Sequence, residues 1–169
     1  MHMRNHPATI DDLSILAKNS CHLQKQRVLR HRKKNYTDDG YKSTKDDSWD
    51  LPRVVVACGS LKAPFKVEKR YSRTTLKNGH KTLKSAYSKV GMVIGQKLPR
   101  QIKQRIGKPY WDPGHCAEPH AVHALLNTMD KFGVSLQIKE IRFGKAFKIM
   151  NGKEEHYCNT CKTVFPQLK

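Results

Sequence analysis

Three cysteines far apart in sequence constrain this chain more than its hydrophobic pattern does. Cys116 lies in Gly114-His115-Cys116-Ala117-Glu118-Pro119, and the other two lie in Cys158-Asn159-Thr160-Cys161. Together they can hold a tetrahedral dication, but only if the fold returns the later pair onto the first. Cys116 stands just before a helical repeat of Val122, Leu125, Leu126 and Met129 that runs to Gly133. Cys158 and Cys161 open a second stretch, 162–168, that also reads as a helix. Thiolates, not thiols, bind zinc, and helix N-termini lower thiol pKa, so two helix ends converging on one ion suit the residue types. Three protein ligands leave a fourth position open, the mark of a catalytic rather than a structural site. The alternative is a structural zinc site completed by His115, His120 or His156, and a Cys-x-x-Cys pair alone would favour it. Glu118, two residues past a ligand, is placed to move protons. An acid in a first helical turn also arises from the helix dipole alone. Three thiolates over-neutralise Zn²⁺, so helix dipoles or a nearby cation must offset the excess charge.

Composition bounds the rest. The 169 residues carry a net charge of +19, with 28% charged and only 37% hydrophobic. One domain with a modest core and polar extensions fits these values. The charge favours polyanions, nucleic acid first, but because it is spread along the chain it favours them only modestly over a basic ribosome-like or merely soluble surface. No apolar run is long enough to cross a membrane, and the first residues carry no secretory pattern. Five cysteines do not read as a disulfide framework here. They read as metal binding in a reducing compartment.

In chain order, Thr9 caps a first helix with Asp11 and Asp12 in its first turn, and Leu13, Leu16 and Ala17 form its stripe. Its end, 27–34, is strongly basic, either a solvated helix end or a phosphate-contacting arm. Residues 35–50 read as a polar linker, so that 1–50 is a helical extension and 51–169 the catalytic domain. Val54 to Cys58 is a buried strand, with Cys58 a small hydrophobe rather than a ligand. Phe65 to Tyr71 is a second strand and Asn78-Gly79 a turn. Leu83 to Ile94 reads as one helix, and Pro99 to Ile106 as another, closed by Gly107 and surrounded by cations. Tyr110 and Trp111 form a stiff aromatic loop; they either stack on a base or plug the core. Val134 to Ile138 and Ile141 to Phe143 alternate in opposite phases, which predicts a bulge at Lys139 or Glu140. His115, His120 and His123 read as surface or supporting histidines.

At Cys116-Ala117-Glu118 and Cys158-Asn159-Thr160-Cys161 the chain resembles the cytidine deaminase superfamily, most of all its bacterial toxin-type (YwqJ-like) branch. The resemblance covers these two motifs and their helical context, about a third of the chain by eye. It implies an α/β fold, a cytidine-deaminase-like sheet flanked by helices, with an N-terminal helical extension. It implies zinc held by Cys116, Cys158 and Cys161, Glu118 as the catalytic proton carrier, and Trp111 and His115 near the substrate. The implied activity is hydrolytic conversion of cytosine to uracil in DNA or RNA by an effector-type enzyme. Such modules are delivered as secreted effectors and are paired with an acidic immunity protein. Two departures stand out. Tyr157 precedes the Cys-x-x-Cys where the family usually has Pro, and the chain ends at Lys169, leaving no room for the family's last strands. A free nucleoside or nucleotide deaminase is the alternative enzyme, although a small neutral substrate needs no such charge. A non-catalytic, zinc-stabilised nucleic-acid-binding module is the alternative from another class.

Overall fold

Val54–Ser60 (β3) is the strand around which the sheet is built, and its sequence says why. Its β-branched and small residues fit a pleat covered on both sides. Val56 and Cys58 point into one apolar cluster, while Val55 and Ala57 point into another on the opposite face. The computed structural model of the chain describes residues 4–34, 36–37, 40–41, 53–72 and 75–168, with side chains over 4–30, 53–72 and 75–168. The predicted linker lies largely outside the described residues. Within it Tyr36–Thr37 (β1) pairs antiparallel with Gly40–Tyr41 (β2).

The main sheet has five strands, all antiparallel. Val67–Tyr71 (β4) borders β3 on one side. On the other side Ile141–Phe143 (β5) and Ala146–Lys148 (β6) pair with β3 in succession, and Glu154–Glu155 (β7) pairs with β6. The fold is thus α/β, with helices on both faces. Among the described residues every strand precedes the last helix.

Ile10–Lys34 (α1) covers one face. Thr9 accepts the amide of Asp12, and the Asp12 carboxylate accepts the amide of Thr9, a reciprocal cap that starts the helix. Leu13, Ala17 and Cys21 of α1 pack on Val55, Ala57, Phe147 and Ile149. The other face carries Lys81–Ser88 (α2), Arg100–Ile106 (α3), Ala117–Lys131 (α4) and Asn159–Val164 (α5). Leu83, Tyr87, Leu125, Leu126, Met129 and Phe165 fill the larger core there. Among the described residues no helix is long and apolar enough to cross a membrane.

Two expectations are corrected. The helix from Leu83 stops at Ser88 instead of reaching Ile94, because Gly91 turns left-handed at φ 78° and Met92 donates back to the Tyr87 carbonyl. Met92 and Ile94 still enter the core, but from a loop. The bulge is not at Lys139 or Glu140. Residues 138–140 form a 3₁₀ turn closed by a Gln137–Glu140 capping box, and no strand precedes it. The slip falls at Gly144-Lys145: Val55 pairs with Phe147 and Cys58 with Phe143, so two residues of β3 oppose three of its partner. That extra residue sends Phe143 to one face and Phe147 to the other, though their numbers differ by an even step.

Gly144 is also where α1 sits closest. A Cβ there would lie 2.6 Å from both the Leu13 carbonyl carbon and the Ser14 nitrogen, backbone atoms that no rotamer change can move. Lys145 N–H donates to Ser14 Oγ beside it, at 2.9 Å. Gly144→Ala should therefore push α1 off the sheet and cost about 1–3 kcal/mol, read as a lower denaturation midpoint in urea.

Candidate metal centre

The turn into α4 brings Cys116 to the site. Gly114 adopts φ 91°, and a Cβ there would meet the Leu76 carbonyl oxygen at 2.7 Å. Only glycine serves at that position. Leu76 N–H also donates to the Gly114 carbonyl, which ties the turn to the loop before α2. Cys116 is then the extended N-cap residue of α4, and Ala117, Glu118 and Pro119 make its buried first turn. Cys158 is likewise the extended N-cap of α5, with Cys161 three residues on in the same short helix.

These three sulfurs converge. All lie within 4.8 Å of one another, and Cys116 Sγ and Cys158 Sγ are 3.3 Å apart. Sulfurs around a tetrahedral zinc stand ~3.8 Å apart, given Zn–S bonds of ~2.3 Å. The cluster thus needs only a small spread to hold an ion, and its soft, convergent donors, two buried and Cys116 half-buried, fit zinc chemistry. Among the described residues the cluster consists of these three cysteines alone; His115, His120 and His156 do not join it. These cysteines could meet three of the four positions around a tetrahedral ion. Cys58 lies apart, fully buried within β3, where burial pushes its thiol up.

Charge is unevenly shared in the cluster without metal. The Cys158 pKa is pulled down, by thiol donation from Cys116 first and then from Cys161. Backbone N–H groups of Cys161 and Thr160 add to this. Cys116 is pushed well up, chiefly by sharing its proton with Cys158, and Cys161 is pushed up by its bonds to Cys116 and Cys158. Glu118 stands against the cluster with its Oε2 3.6 Å from Cys161 Sγ. It is buried, and burial first, then the nearby charge of Cys158, push its carboxyl up to about 7. The hydroxyl of Tyr87 is fully buried and has no hydrogen-bond partner among the described residues. Burial keeps it protonated, reinforced by the charges of Cys161, Cys116, Cys158 and Glu118, so it belongs to the same surroundings.

Trp111 and His115 also meet. Their rings stack at 5.2 Å with 19° between planes, and Trp111 is 48% exposed. Trp111 is therefore not a plug of the core. Tyr110 is half-buried against the larger core.

Two residues that sequence reasoning passed over hold this loop. Asn159 Nδ2 donates to the carbonyls of Ile106 and Gly107, at 3.0 and 2.9 Å, and its backbone N–H donates to Pro109. Thr160 Oγ1 accepts from the Trp111 N–H at 3.2 Å and donates to the Trp111 carbonyl at 2.7 Å. The middle of the Cys-x-x-Cys thus clamps the aromatic loop. The only available signal was that both are polar residues in a first helical turn. Tyr157, just before the Cys-x-x-Cys, donates its hydroxyl proton to the Gly144 carbonyl at the bulge.

His123 has a structural role. Its Nδ1 accepts the His80 backbone N–H at 2.9 Å, while His80 Nδ1 caps α2 through the Thr82 N–H. Burial first, then the charges of His80 and Arg70, lower the His123 pKa. The unfolded chain therefore takes up that proton first, so stability should be full above about pH 6.5 and fall as pH drops below it. His123→Asn should flatten this acid limb in pH-dependent urea unfolding.

Compared with protein-family models, curated proteins and solved structures, the chain matches none.

Proposed function

We propose that the chain is a zinc-dependent hydrolytic deaminase of the cytidine deaminase type, converting cytosine to uracil in DNA or RNA. The observation that carries this reading is one constellation: three sulfurs within 4.8 Å, with the buried Glu118 carboxylate 3.6 Å from one of them and outside the ligand set. A structural site would not require a buried carboxylate at its edge, since burying an ionisable group is costly without a use.

Zinc held by Cys116, Cys158 and Cys161 would supply Lewis acidity, making water acidic enough to lose a proton near neutral pH. The chain's own part falls to Glu118. Its carboxylate accepts a proton from the attacking water and delivers it to the ring nitrogen of cytosine; it then takes the proton of the hydroxyl newly bonded to the ring carbon and passes it to the amino group, which leaves as ammonia as the C–N bond breaks and the carbonyl forms. Burial excludes bulk water from that exchange and strengthens each charge interaction within it. The clamped loop of Trp111 sets one wall of the approach, with His115 beneath the indole. A net charge of +19 supports a polynucleotide rather than a free nucleoside.

Incubating the zinc-loaded protein with single- and double-stranded DNA and RNA, and sequencing the products, tests the reading. C-to-U conversion in at least one substrate is expected. No conversion in any nucleic acid or in free cytidine would refute it.

A further inference from the structure

Next to the metal centre stands a flat aromatic platform, and the segment that leads into it along the chain is rich in exposed cations. One face of the Trp111 indole lies on His115, and the ring is 48% exposed. Its backbone is fixed at both N–H and C=O by Thr160, whose neighbour is Cys161. The platform is therefore rigid with respect to the three sulfurs. Leading up to it, Lys97, Arg100, Arg105 and Lys108 are exposed, and Lys103 sits over the Tyr110 ring at 5.6 Å. None of these five cations takes part in an ion pair among the described residues. The acids of the same stretch are withdrawn: Asp112 accepts the Leu98 N–H at 2.8 Å, and Glu118 is buried.

An exposed, immobilised indole, preceded in the chain by cations that form no ion pair among the described residues (Arg105 donates to the Val90 carbonyl), suits a base with its phosphates. Every base has a π-face, whereas a duplex keeps those faces within its stack. An acidic peptide would satisfy the cations but leave the indole unused. We propose that this surface binds single-stranded nucleic acid, one base stacked on Trp111 and its flanking phosphates on the cations of 97–108. The inference rests on the polynucleotide reading of the site and adds the strandedness of the substrate.

Fluorescence anisotropy with labelled thymidine and uridine homo-oligomers, and with a duplex of equal length, tests it at several salt concentrations. The homo-oligomers contain no cytosine, so binding is read without any chemistry. Both should bind more tightly than the duplex, and the two arms report whether DNA or RNA is preferred. Trp111→Ala should weaken single-strand binding about tenfold or more while leaving the salt slope and duplex binding unchanged. Trp111→Phe should restore most of the loss, which separates stacking from folding. Arg100→Ala with Lys108→Ala should instead lower the salt slope by about one per lost phosphate contact. Equal affinity for duplex, unchanged single-strand binding by Trp111→Ala, or equally effective competition by polyglutamate would each overturn the proposal. A protein that shows these binding effects yet deaminates nothing would refute the catalytic reading alone. One that deaminates without them would refute the platform alone.

Discussion

Glu118→Gln is expected to retain the fold and the metal while losing deamination by about 10²–10⁴-fold, the usual worth of a positioned acid–base group. The carboxylate lies against Cys161 but outside the three-sulfur set, so removing its charge leaves the ligands in place. Gln matches its size and so opens no cavity in the buried first turn of α4. Metal analysis and single-turnover sequencing of a cytosine-bearing oligonucleotide give the two readouts. A variant with wild-type rate would refute the role, and a variant without zinc would make Glu118 a ligand. A third readout needs no turnover. In the metal-free protein burial raises the Glu118 pKa from its ordinary 4.5 to about 7, so the native state keeps its proton where the unfolded chain has lost it. That group therefore costs stability as pH rises from about 4.5 to 7. Metal-free Glu118→Gln should be more stable than metal-free wild type at pH 8, and the difference should vanish near pH 4.

Cys161→Ala is expected to abolish both zinc retention and activity, and to remove the stabilisation that zinc confers. The three thiols join the N-terminal turns of α4 and α5, which are separated in the chain by β5, β6 and β7. A ligand present at a hundred times its dissociation constant stabilises by about 2.7 kcal/mol. In a chain of this size each kcal/mol is worth about 2–4 °C. Chelating zinc from the wild type should thus lower its Tm by about 5–10 °C, whereas Cys161→Ala should show no response to chelator. Cys58→Ala is the control: its thiol lies within β3, away from the cluster, and metal content should not change. A wild type indifferent to chelation, or a Cys161→Ala protein with full zinc, would refute the centre.

The cysteine spacing and residue types were enough to pick out Cys116, Cys158, Cys161 and Glu118 as partners, because metal chemistry tolerates few alternatives at such spacings. Val54 to Cys58, the helix closed by Gly107, and the helix beginning after Cys116 were legible from β-branching, a glycine stop and the periodic stripe. These are local signals, set by neighbours within a few residues. Where non-local packing competed, local reading failed. The stripe from Leu83 to Ile94 looks continuous, yet Gly91 reverses the backbone and the later apolar residues reach the core from a loop. The phase slip was visible in the sequence, but its position was not. Gly144 holds the bulge because α1, more than a hundred residues earlier, presses its backbone there, and no local pattern records that approach. The same holds for Asn159 and Thr160, whose hydrogen bonds run to residues about fifty positions away, and for Tyr87, carried to the cluster by α2. The sequence alone determined which groups can share a metal. Only the tertiary structure decided that α1 closes the second face of the sheet and that Trp111 stands exposed, because burial depends on which surfaces meet and not on which residues are adjacent.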